Sequence, residues 1–163
     1  MIRDARAGDA AAIGRVWNPI IRDTAITFWP APRDEAEICA YIAARQDAGH
    51  GCFVWEDAGH VLAFAAYGQF RNGGGYVHSM EHTIHADPAA RGLGIGAALL
   101  THVEDHARNR QARLMIGAVT GSNGASVAFH RRHGYAEWGR IPCAGFKFGQ
   151  WHDLLLMGKD LTS

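Results

Sequence analysis

Between a stretch with strand-like alternation and one with helical periodicity stand Arg91-Gly92-Leu93-Gly94-Ile95-Gly96. Glycines let a backbone bend tightly and bring bare N–H groups against a ligand. A helix that opens there adds unsatisfied N–H groups and the positive end of its dipole, which suits a phosphate or pyrophosphate. Arg91 adds a charge-assisted contact. A dinucleotide site asks for Gly-x-Gly-x-x-Gly after the first strand, with an acid about twenty residues on. Here the glycines are Gly92, Gly94 and Gly96, and two helices and a hairpin come first. A P-loop requires Gly-Lys-Ser/Thr, which is absent. A site for some other phosphate or pyrophosphate group and a loop that only turns the chain both remain.

Two titratable residues flank this loop. Glu81 offers a carboxylate able to accept a proton from an amine. His130, with an ordinary pKa of about 6.5, can give or hold one near neutrality. On residue type alone, Glu81 is equally an exposed strand carboxylate, and His130 equally a helix-packing side chain. His78-Ser79-Met80-Glu81-His82 spells the His-x-x-Glu-His of some zinc peptidases. That chemistry needs a helix, and this segment reads as strand. At roughly 3.3 Å per residue its histidines would stand about 13 Å apart, too far to share one ion. No metal is expected.

The elements that must position these groups follow from periodicity. Asp9 precedes a helix with Ile13, Val16, Trp17, Ile20 and Ile21 on one face, and a second helix carries Ile38, Tyr41 and Ile42. Residues 52–55 and 61–67 read as a hairpin around Asp57-Ala58-Gly59. Residues 76–86 read as a long strand, residues 113–119 as another, residues 125–133 as a short helix, and the chain from Tyr135 as two last strands. The order predicts a single α/β domain over residues 1–163 with a mixed sheet.

Sixteen basic residues balance sixteen acidic ones among 163. That excludes a general nucleic-acid or anionic-membrane surface, either of which needs a basic excess. Cys39, Cys52 and Cys143 are odd in number and far apart, which fits a reducing compartment rather than a disulfide framework. With no signal peptide and no apolar run long enough for a membrane, a cytoplasmic location is expected.

Arg91-x-x-Gly94-x-Gly96 resembles the acetyl-CoA pyrophosphate loop of the GNAT superfamily of N-acetyltransferases. Met80-Glu81-His82-Thr83-Ile84, Asn123-Gly124-Ala125-Ser126, Phe129-His130-Arg131-Arg132-His133-Gly134-Tyr135 and Ala144-Gly145-Phe146-Lys147-Phe148-Gly149-Gln150-Trp151-His152-Asp153 are similar to its phosphinothricin and methionine sulfone/sulfoximine acetyltransferase group. The resemblance implies a mixed central sheet, helices on both faces, and two parallel strands that splay apart in the middle. It implies acetyl-CoA as co-substrate, no metal, a small amino-acid-like amine as acceptor, and a homodimer with neither nucleic-acid nor membrane partners.

By the same resemblance Ile84, His85 and Ala86 line the pantetheine arm. Arg91, Gly92, Leu93, Gly94, Ile95, Gly96 and Ala97 hold the phosphates, and Asn123 and Ser126 meet the CoA arm. Glu81 stands as general base and His130 as acid or CoA contact. Arg71, Asn72, Glu81, His82 and Thr83 surround the acceptor. By residue type alone, Phe28, Tyr76, Trp29 and Trp151 are candidate walls of the acceptor pocket or else core residues. A different small amine, a protein N-terminus, or a non-catalytic acyl-CoA sensor are the alternatives.

Overall fold

The computed structural model describes all residues, Met1–Ser163. In chain order the elements are β1 (Ile2–Asp4), α1 (Ala10–Asp23), α2 (Glu35–Asp47), β2 (Cys52–Asp57), β3 (His60–Gln69), β4 (Ser79–Ala86), α3 (Ile95–Asn109), β5 (Leu114–Thr120), α4 (Gly124–Arg132), β6 (Ala136–Lys147) and β7 (Gln150–Asp160). The seven strands form one sheet in the order β1-β2-β3-β4-β5-β7-β6. Only β4 and β5 are parallel.

Alternation along the strands divides the side chains between two layers. Cys52, Val54, Phe64 and Ala66 meet α1 and α2 through Ile13, Trp17, Ile38 and Ile42. Phe53, Ala63, Ala65, Tyr67, Met80 and Met115 meet α3 through Leu99, Leu100 and Val103. Helix α2 begins with a capping box: Asp34 Oδ1 accepts from Glu37 N and Glu37 Oε2 accepts from Asp34 N, each at 2.8 Å. Asp9 does not cap α1 with its side chain. Its carboxylate is taken by the Arg3 guanidinium at 2.8 and 2.9 Å and by Arg6 N.

The hairpin of β2 and β3 turns through Ala58 and Gly59, both at positive φ, as expected from the sequence. Two expectations needed correction. Strand β1 was missed because three residues carry no readable period. Strand β4 starts at Ser79 and not Tyr76, because Gly74–Tyr76 coil into a 3₁₀ turn after Gly73, whose φ of 113° disfavours side chains.

The functional feature lies in the middle of the sheet. β4 pairs with β3 along its whole length, from Met80↔Gln69 to Ala86↔Ala63. β5 pairs with β7 up to Thr120↔Leu154. Their mutual pairing stops at His82↔Gly117. Residues 83–86 and 118–120 therefore diverge, each held by its outer neighbour, and open a notch through the sheet. No helix is long and apolar enough to cross a membrane.

Candidate active site

The notch is a cleft of about 670 Å³. Residues 81–86 form one wall, and Ala118, Val119, Thr120 and Leu154 the other. Asn123, Ser126, Phe129 and His130 close it from α4, Gly96 from α3, and Trp17 with residues 26–30 from the α1 side. Alternation sends Glu81, Thr83 and His85 of β4 toward α1 and α2, where His85 meets Trp17 and Phe64. It sends His82, Ile84 and Ala86 toward α3 and α4. Two molecules entering from opposite layers would meet at the notch. Glu81 and His82, on opposite faces, cannot converge on one ion as in a zinc peptidase.

At the mouth, Gly92 and Gly94 have φ of 77° and 76°, where side chains are strained. Nothing lies within 4 Å of a Cβ built on either, so the bend faces open space. Gly94 is the N-cap of α3, and the first helical hydrogen bond is Ala98 N to Gly94 O. The N–H groups of Ile95, Gly96 and Ala97 thus lack helical acceptors, and the first turn carries no acid. This cradle of free amides at a fifteen-residue helix fits a diphosphate. Arg91 and Leu93 are exposed beside it, whereas the Ile95 side chain turns into the core and can offer only its amide.

Burial pushes the Glu81 carboxyl above its ordinary value, and the Arg45 guanidinium partly opposes that rise. Arg45 passes over Gly68, the cross-strand partner of Glu81; a Cβ on Gly68 would lie 3.4 Å from Arg45 Nε. Arg45 also stacks on Tyr41 at 4.1 Å. Sequence reasoning missed Arg45, because only the β3–β4 register brings it to Glu81.

His130 lies on the other face of the sheet at the closed end of the notch, 5 % exposed. Its Nδ1 is 2.7 Å from Ser126 O and its Nε2 is 3.1 Å from His82 Nε2. A carbonyl only accepts, so His130 carries its proton on Nδ1, and His82 Nε2–H donates to the bare His130 Nε2. Burial depresses both rings' pKa values, that of His82 to about 3, and so favours the neutral form of each. Thus His82, expected beside the acceptor, shares the cleft wall but spends its Nε2 on His130.

On the α1 side Phe28 and Trp29 line the cleft, joined by Trp17, which also belongs to the core as α1 periodicity predicts. Their loop is tied down from afar. Thr120 Oγ donates to Ala25 O at 2.6 Å. The buried Lys147 ammonium donates to Ile21 O and, at 2.8 Å, to Thr27 O. Asn123 serves two ends, lining the cleft and capping α4 through Ser126 N at 3.2 Å. Arg71, Asn72 and Tyr76 are not brought to the cleft. Gln69 Nε2 ties Arg71 O at 2.6 Å and Gly73 O at 2.8 Å, which folds this exposed turn onto its own strand. Trp151 is exposed on β7.

Residues 17–135 match the model of the acetyltransferase (GNAT) family. The chain belongs to the GNAT family. This GNAT chain is 35% identical over 161 residues to the L-methionine sulfoximine/L-methionine sulfone acetyltransferase of Pseudomonas paraeruginosa, covering 98% of itself and 94% of that protein. It superposes at TM-score 0.95 on a ribosomal-protein-alanine N-acetyltransferase from Brucella melitensis, with 34% identity, 98% of this chain and 99% of that one covered. It superposes at 0.93 on a phosphinothricin acetyltransferase from Sinorhizobium meliloti in complex with acetyl-CoA, with 30% identity, 98% and 87% covered.

Proposed function

We propose that this GNAT protein transfers acetyl from acetyl-CoA to the α-amine of a small amino-acid-like acceptor of the methionine sulfoximine, methionine sulfone or phosphinothricin kind. The observation that carries the reading is the end of β4–β5 pairing at His82↔Gly117, directly inward of the amide cradle at α3. Peptide groups freed along residues 83–86 can bond the pantetheine arm, while the N–H groups at α3 hold its diphosphate. Residues 91–97 together with Asn123 and Ser126 form the CoA side.

An ammonium cannot attack a thioester, so a proton must first leave the amine. Glu81, on the acceptor face with a raised pKa, takes it directly or through water. The attack places negative charge on the thioester oxygen, which a free N–H of residues 84–86 stabilises. Collapse then breaks the C–S bond, and the thiolate of coenzyme A takes up the proton that the attacking nitrogen sheds. Holding both reactants in the notch supplies much of the acceleration. The acceptor wall of Trp17, Phe28 and Trp29 suits an unbranched, polarisable side chain such as that of methionine analogues.

Thiol release from acetyl-CoA tests the reading with phosphinothricin, methionine sulfoximine, methionine sulfone, ordinary amino acids and a peptide with N-terminal alanine. Turnover highest on the sulfur or phosphorus analogues is expected. The likeness to the Brucella protein makes the peptide the informative rival, and peptide turnover above theirs would replace the acceptor assignment. Tight CoA binding without turnover on any amine would make the protein a sensor.

A homodimer is part of the same proposal. Trp138, Ile141, Phe146, Phe148 and Trp151 are 47–66 % exposed on the edge strand β6, its neighbour β7 and the turn between them, a patch that suits a second copy. Light scattering at micromolar concentration should give twice the 17.7 kDa chain mass, and a monomer would refute this part. Three free cysteines suit the cytoplasm.

A further inference from the structure

We propose that His82 is a positioning residue for acyl transfer: together with Ser126 O it holds His130 as the Nδ1–H tautomer and so leaves the Ser126 hydroxyl, not the His130 ring, to hydrogen-bond the departing sulfur. The inference rests on the acetyltransferase reading. It starts from a buried pair of rings that a general-acid role for His130 does not explain.

Every atom of the His130 ring able to exchange a proton is already engaged. Nδ1–H points at Ser126 O, 2.7 Å away, and Nε2 receives the His82 proton at 3.1 Å. The ring planes lie 13° from parallel with centroids 5.1 Å apart, as edge-to-edge bonding through the two Nε2 atoms requires. Tyr135 abuts both edge-on, and its own hydroxyl is committed to Glu104 Oε1 at 3.0 Å. The strand opposite is cut to fit. A Cβ on Gly117 would lie 2.6 Å from His130 Nε2 and 2.9 Å from His82 Nε2, so only glycine admits the contact.

His130 Nε2 therefore holds no proton to deliver. The nearest transferable hydrogen on that side belongs to Ser126, which lines the cleft. Its Oγ lies 3.3 Å from His130 Nδ1. Because Nδ1 already bears a hydrogen, that contact can only be one the hydroxyl accepts, and the O–H is free to point at a ligand. In the other tautomer a bare Nδ1 would face Ser126 O and compete for the hydroxyl hydrogen. Ser126 O disfavours that state at one edge of the ring and the His82 Nε2–H at the other.

The decisive test has a spectroscopic and a kinetic arm. Long-range ¹H–¹⁵N correlation of imidazole nitrogens in the wild-type protein should show His130 protonated on Nδ1 and bare on Nε2, with His82 protonated on Nε2. A proton on His130 Nε2 overturns the proposal, whether or not the protein proves to be an acetyltransferase. In thiol-release assays with the best acceptor, His82→Phe should lower kcat about tenfold, the size of one lost hydrogen bond. KM for acetyl-CoA and for acceptor should stay within about twofold, and His82→Gln, which restores a donor, should recover most of kcat. Ser126→Ala should also lower kcat, and its effect should vanish in the His82→Phe background, as expected for residues acting as one unit. Additive losses, or a His82→Phe defect confined to acceptor KM, would make His82 a substrate contact and overturn the proposal. If His82→Phe does not fold, the wild-type tautomer decides.

Discussion

Glu81 sits between two opposing influences, and their balance sets where the reaction can run. Burial raises its pKa and Arg45 lowers it. A base works only when deprotonated, so the acid limb of kcat/KM should lie above the ordinary glutamate value of about 4.3. Removing the cation in Arg45→Met lets burial act alone, and the limb should move to higher pH; an unmoved limb would detach Arg45 from Glu81. Replacing Glu81 by Gln should cut kcat by about 10² to 10⁴ while acetyl-CoA affinity stays within about twofold. Unchanged turnover across the pH range would remove Glu81 as the base. Glu81 and His130 were legible in the sequence because their neighbours spell a motif. Arg45 and the bonding of His82 were not, because each depends on a cross-strand register that puts Gly68 beside Glu81 and Gly117 beside two histidines.

Among the elements, the helix N-terminus and the parted strands do separate work. A glycine bend ahead of a periodic helix is readable from composition, and the structure has Gly94 at φ 76° capping α3. Gly94→Val places a β-branched side chain in the left-handed region, at a local cost of roughly 1–2 kcal/mol. It should weaken acetyl-CoA binding at least about tenfold by calorimetry in a protein that still folds; normal affinity would deny the bend its role. The parting of β4 from β5 was not legible from their own residues, since residues 83–86 keep strand alternation whether paired or free. It came from the resemblance alone. The fixed loop over the acceptor was equally hidden, because its anchor, Lys147, is more than a hundred residues away. Lys147→Met leaves two buried carbonyls short of a donor, worth about 1–3 kcal/mol in stability. It should raise acceptor KM and spare acetyl-CoA KM; equal effects on both would show that the loop serves the whole cleft.

For the whole molecule, buried neutral histidines tie the fold to pH. Burial pushes the His82 pKa down to about 3 in the folded protein, against about 6.5 in an unfolded chain. Below about 6.5 the unfolded chain binds a proton that the folded one refuses, so stability falls as pH drops from there toward 3. Between pH 7 and pH 5 this residue alone removes about 2 kcal/mol, and burial of His85 and His130 acts in the same direction. The melting temperature should fall over that interval, with a shallower slope in His82→Phe. A flat profile would mean that the ring reaches water.

The account rests on coenzyme A threading the gap in the sheet, and a crystal structure of the acetyl-CoA complex tests that most directly. The diphosphate should sit on the N–H groups of residues 92–97, with the arm along residues 83–86 and the thioester between Glu81 and Ser126. Acetyl-CoA bound anywhere else, or β4 and β5 zipped together beyond His82 and Gly117, would contradict it.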